Sequence, residues 1–173
     1  MYKTATVFPL EGIKTDSAEI NFNESKDSII QKLGNPCDDY GDQIYYFESE
    51  LRLDFNQSGG LEFIEFLGGI EGQLHPIIYD VNAFEETADN LMHILEEKNN
   101  GKIDDTEDGY SYGFMEISVG IYRESIPENV QQMIEEAEQA GEPLDDEDIE
   151  HERKMANHWA TIGIGIKDYF KIH

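Results

Sequence analysis

Positive charge is what this chain has least of. Its 12 Lys and Arg stand against 38 Asp and Glu in 173 residues, for a formal net charge of -26 at pH 7. Phosphate contacts need Lys and Arg, so nucleic acid is not an expected partner. An anionic membrane surface is disfavoured for the same reason. Cysteine is nearly absent too. The single Cys37 leaves no internal disulfide, which fits a reducing cytoplasm. No stretch approaches the ~18 apolar residues of a membrane span. The segment from Met1 to Pro9 has no apolar signal-peptide core and no lipid-attachment cysteine. These absences lead to the expectation of a soluble, cytoplasmic protein. A phosphate-binding glycine loop is missing as well. Gly163-Ile164-Gly165 lacks the third glycine and the following helix of a dinucleotide fingerprint.

What is present suffices for a core, since 39 % of residues are hydrophobic and 11 % aromatic. Acidity is concentrated from Glu124 to Glu152, a run of twelve Asp and Glu with no Lys or Arg. Glu128–Ala140 has helical spacing with an apolar stripe at Val130, Met133, Ile134 and Ala137, and Pro127 suits the first turn. Leu144–His158 reads as a second, weakly apolar helix. The run 124–158 therefore reads as a helical insertion between strands, either a mobile solubility flap or a partner-facing arm.

The rest of the chain reads twice. Ser25 is an N-cap for a helix with Ile29, Ile30 and Leu33 on one face, ended by Gly34 and Pro36. Strand-like runs follow at Ile44–Glu48, Leu51–Phe55 and Leu61–Leu67, the second alternating at Leu51, Leu53 and Phe55. A second helix is expected from Asn82 as N-cap, with Glu85 at capping-box spacing. An alternating strand follows over Tyr110–Tyr122, and a last strand over Trp159–Phe170. The small residues Gly163 and Gly165 on one face of that last strand call for another element packed close above them. A shift of 66 residues sets Asp42 on Asp108, Tyr46 on Tyr112, and Leu51, Leu53 and Phe55 on Ile117, Val119 and Ile121. The reading is one domain over 1–173 with two similar helix-meander halves, 15–68 and 75–173. Its class is α+β: an antiparallel sheet of six to eight strands with helices on one face.

The segment Ser25-Lys26-Asp27-Ser28-Ile29-Ile30-Gln31-Lys32-Leu33-Gly34-Asn35-Pro36, with the aromatic strands after it, resembles the helix-Leu-Gly-x-Pro-strand pattern of the SmpA/BamE lipoproteins. The tandem β-lactamase-inhibitor proteins have a similar helix-plus-sheet unit. The chain departs from the first in lacking a signal and anchor cysteine, and from the second in lacking disulfides. This resemblance implies a protein-binding sheet and no activity. In type, as a small acidic α+β chain without catalytic motifs, it also resembles the immunity proteins of bacterial toxin systems.

Motifs for chemistry are weak. Counted from Asp104, a calcium loop would need its bidentate Glu where Met115 stands, and strand-like alternation follows where a helix should. His151 and His158 are seven apart, not the three or four of ligands on one helix turn, and His151-Glu152-Arg153-Lys154-Met155 is not a zinc-protease motif. The five histidines read as surface residues. Cys37 beside Asp38 and Asp39 has no local base. No cofactor, metal ligand or catalytic residue is expected.

The candidate binding residues are the tyrosines and acids at strand ends: Asp38, Asp39, Tyr40, Asp42 and Tyr45 in one half, Asp104, Asp105, Asp108, Tyr110 and Tyr112 in the other. Asp145, Asp146, Glu147 and Asp148 of the insertion join them. Acidic groups steer a basic partner, and aromatics supply buried contacts. The leading reading is an immunity protein or inhibitor that occludes a basic toxin domain, with a nuclease as a good fit. A carboxylate-rich metal-dependent enzyme and a structural or regulatory module stay open as alternatives.

Overall fold

The computed structural model describes residues 1–172. The chain is an α+β protein, with thirteen strands in two sheets and five helices among the described residues. The large sheet has eight strands in the order β10-β11-β12-β13-β7-β6-β5-β4, every neighbouring pair antiparallel. Its first-half strands are β4 (Asp38–Asp39), β5 (Gln43–Tyr46), β6 (Leu51–Phe55) and β7 (Leu61–Phe66). Its second-half strands are β10 (Ile103–Glu107), β11 (Ser111–Phe114), β12 (Val119–Tyr122) and β13 (Thr161–Gly165). Helix α1 (Lys26–Leu33) precedes the first set and α2 (Ala88–Asn99) the second.

The order is palindromic about the β7–β13 seam. There Ile64 faces Ile164, Phe66 faces Ile162, and Glu65 faces Gly163. A local two-fold through the Glu65–Gly163 pair exchanges the first two pairings. Both β4–β5 and β10–β11 turns carry a glycine with positive φ, Gly41 at 92° and Gly109 at 86°. Equal four-residue turns, 47–50 and 115–118, then lead to Leu51 and Val119. Leu51 thus corresponds to Val119 and Leu53 to Ile121, a spacing of 68 rather than the 66 read from the sequence. An error of two keeps every side chain on its face of the sheet, so alternation cannot detect it.

The inner face of the large sheet holds the core. Ile44, Leu51, Leu53, Ile64, Phe66, Phe114, Val119, Ile121, Ile162 and Ile164 pack with Ile29 of α1 and with Leu91 and Leu95 of α2. A second sheet, not anticipated, covers the same face. It has the order β3-β2-β1-β8-β9, built from β1 (Lys3–Phe8), β2 (Gly12–Lys14), β3 (Glu19–Asn21), β8 (Leu74–Ile78) and β9 (Val81–Asn82). Its β1 and β8 run parallel, and Ala5, Val7, Ile13, Ile20 and Ile78 join the same core. Glu50 ties the two sheets: its carboxylate accepts from the backbone N–H of Gln73 and of Leu74 at the start of β8.

Several local readings change. Helix α2 starts five residues later than expected, with Thr87 as N-cap accepting from Asn90 N. Asn82 instead makes a turn, its Oδ1 accepting from the N–H of Phe84 and Glu85. Its Nδ2 donates to Nδ1 of His75, whose Nε2–H donates to the Gly72 carbonyl. His75 is buried, stacked on Tyr2 at 4.0 Å, so it is not a surface histidine. The run Tyr110–Tyr122 is two strands joined by a turn. The final strand stops at Gly165, and α5 (Tyr169–Ile172) follows. That short helix lies on the outer face of the large sheet, so not all helices share one face. No helix among the described residues is long and apolar enough to cross a membrane.

Candidate functional site

With the inner face filled, the outer face of the large sheet is the open surface. One cross-strand row traverses all eight strands: Asp38, Tyr45, Arg52, Glu65, Gly163, Gly120, Gly113 and Asp104. The pleat sends every side chain of such a row to the same side. Under the local two-fold, Asp38 corresponds to Asp104, Tyr45 to Gly113, Arg52 to Gly120 and Glu65 to Gly163. One half of the row is bulky and polar, and the other is glycine.

In the first half the polar groups satisfy one another. Arg52 holds Asp54 with two hydrogen bonds, from Nε at 2.9 Å and from Nη2, and reaches Glu65 Oε2 from Nη1 at 3.2 Å. Gln43 Nε2 donates to Asp54 Oδ1 at 3.1 Å, and Tyr45 OH donates to Gln43 Oε1 at 2.8 Å. The guanidinium also lies 5.7 Å from the centroid of the Phe63 ring. Its hydrogen bonds to Asp54 push the Arg52 pKa further up. Glu65 is pushed towards its neutral form. Burial raises its pKa, and Arg52 and the Thr161 hydroxyl only partly counter that.

In the second half the missing side chains are replaced by rings from elsewhere. A Cβ built on Gly120 would lie 2.6 Å from the Phe170 ring, and one on Gly163 would lie 2.5 Å from the Phe63 ring. One on Gly165 would meet Tyr169 at 2.5 Å. Gly163 and Gly165 are the small residues for which the sequence called for a covering element: α5 supplies it over Gly165 through Tyr169, and the Phe63 ring of β7 covers Gly163. Phe63 and Tyr169 stack at 4.6 Å with 8° between their planes. Burial under this stack, with Asp54 and Glu62 nearby, pushes the Tyr169 phenol up to about 12.

Beside Phe170 the lane remains open as a cleft of about 440 Å³. Gly113, Gly120 and Gly163 lie at its base, the last two beneath the edges of the Phe170 and Phe63 rings; Phe63, Phe170 and Tyr122 also line it, and its carboxylates are Glu65, Asp104 and Glu107. Hydroxyls of Thr106, Ser111 and Thr161 line it, and no Lys or Arg does. Asp104 is held in place, its Oδ1 accepting from Thr106 N at 3.0 Å and from Thr106 Oγ1. Those hydrogen bonds lower the Asp104 pKa and keep it ionised.

The sequence-derived candidates are not one patch. Asp38 and Tyr45 stand at one end of the row and Asp104 at the other, seven strand steps apart, or about 34 Å. Asp39 faces the inner side and pairs with Lys26 of α1 at 2.6 Å. Tyr40 is 70 % exposed in its turn and meets Tyr45 edge-on at 6.0 Å. Asp42 and Asp105 are exposed. Tyr112 packs edge-on against the buried Trp159 at 5.8 Å, and its OH donates to Asp108, so it is a core residue with a polar tip. Tyr110 OH donates to Asn129 Oδ1 at 2.6 Å and fastens the insertion.

The insertion is a helical hairpin, α3 (Pro127–Gln139) and α4 (Asp146–Ala156), with its own small core of Val130, Ile134 and Ala156. Asp145 caps α4, accepting from Asp148 N at 2.8 Å, and Asp146, Glu147 and Asp148 occupy its first turn. There they favour the helix dipole. Arg123 binds the other end of α4. Its Nη1 donates to the Ala156 carbonyl and its Nε to the Gly109 carbonyl, both at 2.7 Å, and it lies 4.8 Å from the Trp159 ring centroid. Burial lowers the Arg123 pKa. Its role was not anticipated, because an Arg flanked by Tyr122 and Glu124 at the end of a strand gives no sign of what it will cap.

Among the described residues no group of three or more His, Cys, Asp and Glu is arranged to hold a metal ion. Comparison of the chain with protein-family models, with curated proteins and with solved structures gives no match.

Proposed function

We propose that this chain is a binding protein of the immunity or inhibitor type, which holds a basic protein domain and occludes its substrate-binding surface. A nuclease toxin is the partner class that suits it best, because a phosphate-binding site is basic and an array of carboxylates can occupy it. On this reading the protein works in a bacterial cytoplasm. The observation that carries the reading is the open sheet face on a chain of net charge -26: folded, concave in one half, edged by Asp38 and Asp104, with Glu65 at its centre. Complementary charge steers such an encounter to ~10⁸ M⁻¹s⁻¹ or more at low salt. Aromatic groups on the same face, Tyr45, Tyr122 and Phe170, supply the contacts that charge alone does not.

The test is capture on the immobilised protein from its native host, followed by purification of what is retained and measurement of rebinding. A basic protein is expected to rebind stoichiometrically at low salt and to weaken steeply as salt rises. Recovery of no basic partner, together with salt-independent behaviour, would refute the proposal. Replacing residues 131–150 by a short linker separates the two acidic surfaces. Retained binding at low salt assigns the interface to the sheet, and lost binding with an intact fold assigns it to the hairpin.

A further inference from the structure

We infer that the cleft over the glycine lane receives an arginine side chain of the basic partner. This rests on the binding reading above and deepens it by naming the side chain and its place. A guanidinium is planar and weakly hydrated, stacks on aromatic faces, and pairs with carboxylates through a rigid fork of donors. An ammonium is compact and strongly hydrated. The cleft offers what distinguishes the first from the second: the aromatic walls Tyr122, 40 % exposed, and Phe170, together with the carboxylates Glu65, Asp104 and Glu107.

The molecule contains its own precedent. On the same face, Arg52 lies over Phe63 and bonds Asp54 and Glu65. Glu65 stands beside the local two-fold, across from Gly163. Its row neighbour on one side is Arg52, and on the other it is Gly163. One carboxylate thus borders an occupied guanidinium site in the first half and the cleft in the second. A cation entering the cleft would also favour the ionised form of Glu65, which burial now disfavours. The rival surfaces fit less well. The polar ladder of Gln43, Arg52 and Asp54 is internally bonded, and the hairpin carboxylates of α3 and α4 lie on convex helices.

The test uses the full chain, labelled with ¹⁵N and titrated at low ionic strength with two short neutral-framed peptides, one carrying Arg and one carrying Lys. The Arg peptide is expected to give saturable shifts at the amides of Gly113, Gly120, Thr161 and Gly163, and to bind several-fold more tightly than the Lys peptide. The pair Glu65→Gln/Glu107→Gln should weaken it at least about tenfold. The pair Glu135→Gln/Glu138→Gln removes the same charge from the hairpin and should change it less than about twofold. Equal binding of both peptides, shifts confined to the hairpin, or equal losses in the two variant pairs would each overturn the inference. The captured partner separates the levels. If it binds the Glu65→Gln/Glu107→Gln protein as tightly as wild type, the cleft assignment falls and the binding function stands. If no basic protein or peptide binds at all, both fall.

Discussion

The two halves of the large sheet share a strand plan and differ in what clothes its outer face. In the first, Tyr45, Arg52 and Glu65 stand in the row and bond with Gln43, Asp54 and Thr161. In the second, the row positions are Gly113, Gly120 and Gly163, and their cover arrives from α5 and Phe63. The inner faces show the opposite balance: both are apolar, and both pack on a preceding helix. A sheet buried on one face fixes the chemistry there and leaves the other free to vary. The free face is where the halves differ, and the difference leaves the cleft. The halves also differ in their last connection. Five residues, 56–60, join β6 to β7, whereas the acidic hairpin separates β12 from β13.

The sharpest way to break this comparison is to remove the residue with which the second half absorbs its hairpin. Trp159 is 2 % exposed, donates from Nε1 to the Ala88 carbonyl at 3.0 Å, packs edge-on with Tyr112 and lies under Arg123. Trp159→Ala is expected to cost about 3–5 kcal/mol in urea unfolding. A loss under about 1 kcal/mol would mean that the joint is not part of the common core.

Arg123 carries the next largest expectation. Arg123→Met keeps most of the packing on Trp159 but leaves the Ala156 and Gly109 carbonyls without their donor, at a cost of about 2–3 kcal/mol. Hydrogen exchange should rise first in α3 and α4, because the guanidinium is what clamps the α4 C-terminus to the β10–β11 turn. Equal acceleration in β5 and β6 would show that the hairpin and the first half unfold as one.

How much of this was legible follows the same division. Alternation at Leu51, Leu53 and Phe55 and at Val119 and Ile121 marks half-buried strands, and the α+β class rests on it. It cannot register the four-residue turn at 115–118, because Met115, Ile117, Val119 and Ile121 alternate straight through it. Asn82 had the chemistry of an N-cap, but His75 and the Phe84 amide claimed its side chain, and that competition is tertiary. The strands β1 to β3 are only three to six residues long, and their apolar positions are too few to announce a second sheet. At the candidate site, the glycines of β13 were readable as a covered face. Gly113 and Gly120 join them only through register, and Phe170 only through the turn after Gly165. A cleft assembled from five strands and a C-terminal helix has no local signature.

The glycine lane can be probed directly. Gly120→Ala forces Phe170 off the sheet and is expected to cost about 1–2 kcal/mol, as overpacking does. In a Phe170→Ala background the same substitution should be neutral or mildly stabilising, since its backbone is extended and alanine narrows the unfolded ensemble. The double-mutant cycle measures the coupling. Additive losses would show that the lane is small for a reason other than the ring.

The smallest expected effect concerns Glu65 beside the two-fold, and its sign is the informative part. Burial raises its folded-state pKa above the unfolded value, so ionised Glu65 is disfavoured in the folded state. The stability linked to its protonation is fully present below the unfolded value of about 4.3 and is lost as pH rises through the raised folded value. Glu65→Gln should therefore match or slightly exceed wild type at pH 7, by less than about 1 kcal/mol. That advantage should shrink to nothing as pH falls towards 4. The bond from Arg52 opposes the effect, which is why it is small. Arg52→Met should enlarge it, because Glu65 then keeps its burial and loses its cation. If Glu65→Gln instead destabilises at pH 7 and recovers in acid, the Arg52 pair outweighs burial. The seam carboxylate would then belong to the first half's internal ladder, and would not be poised towards the second.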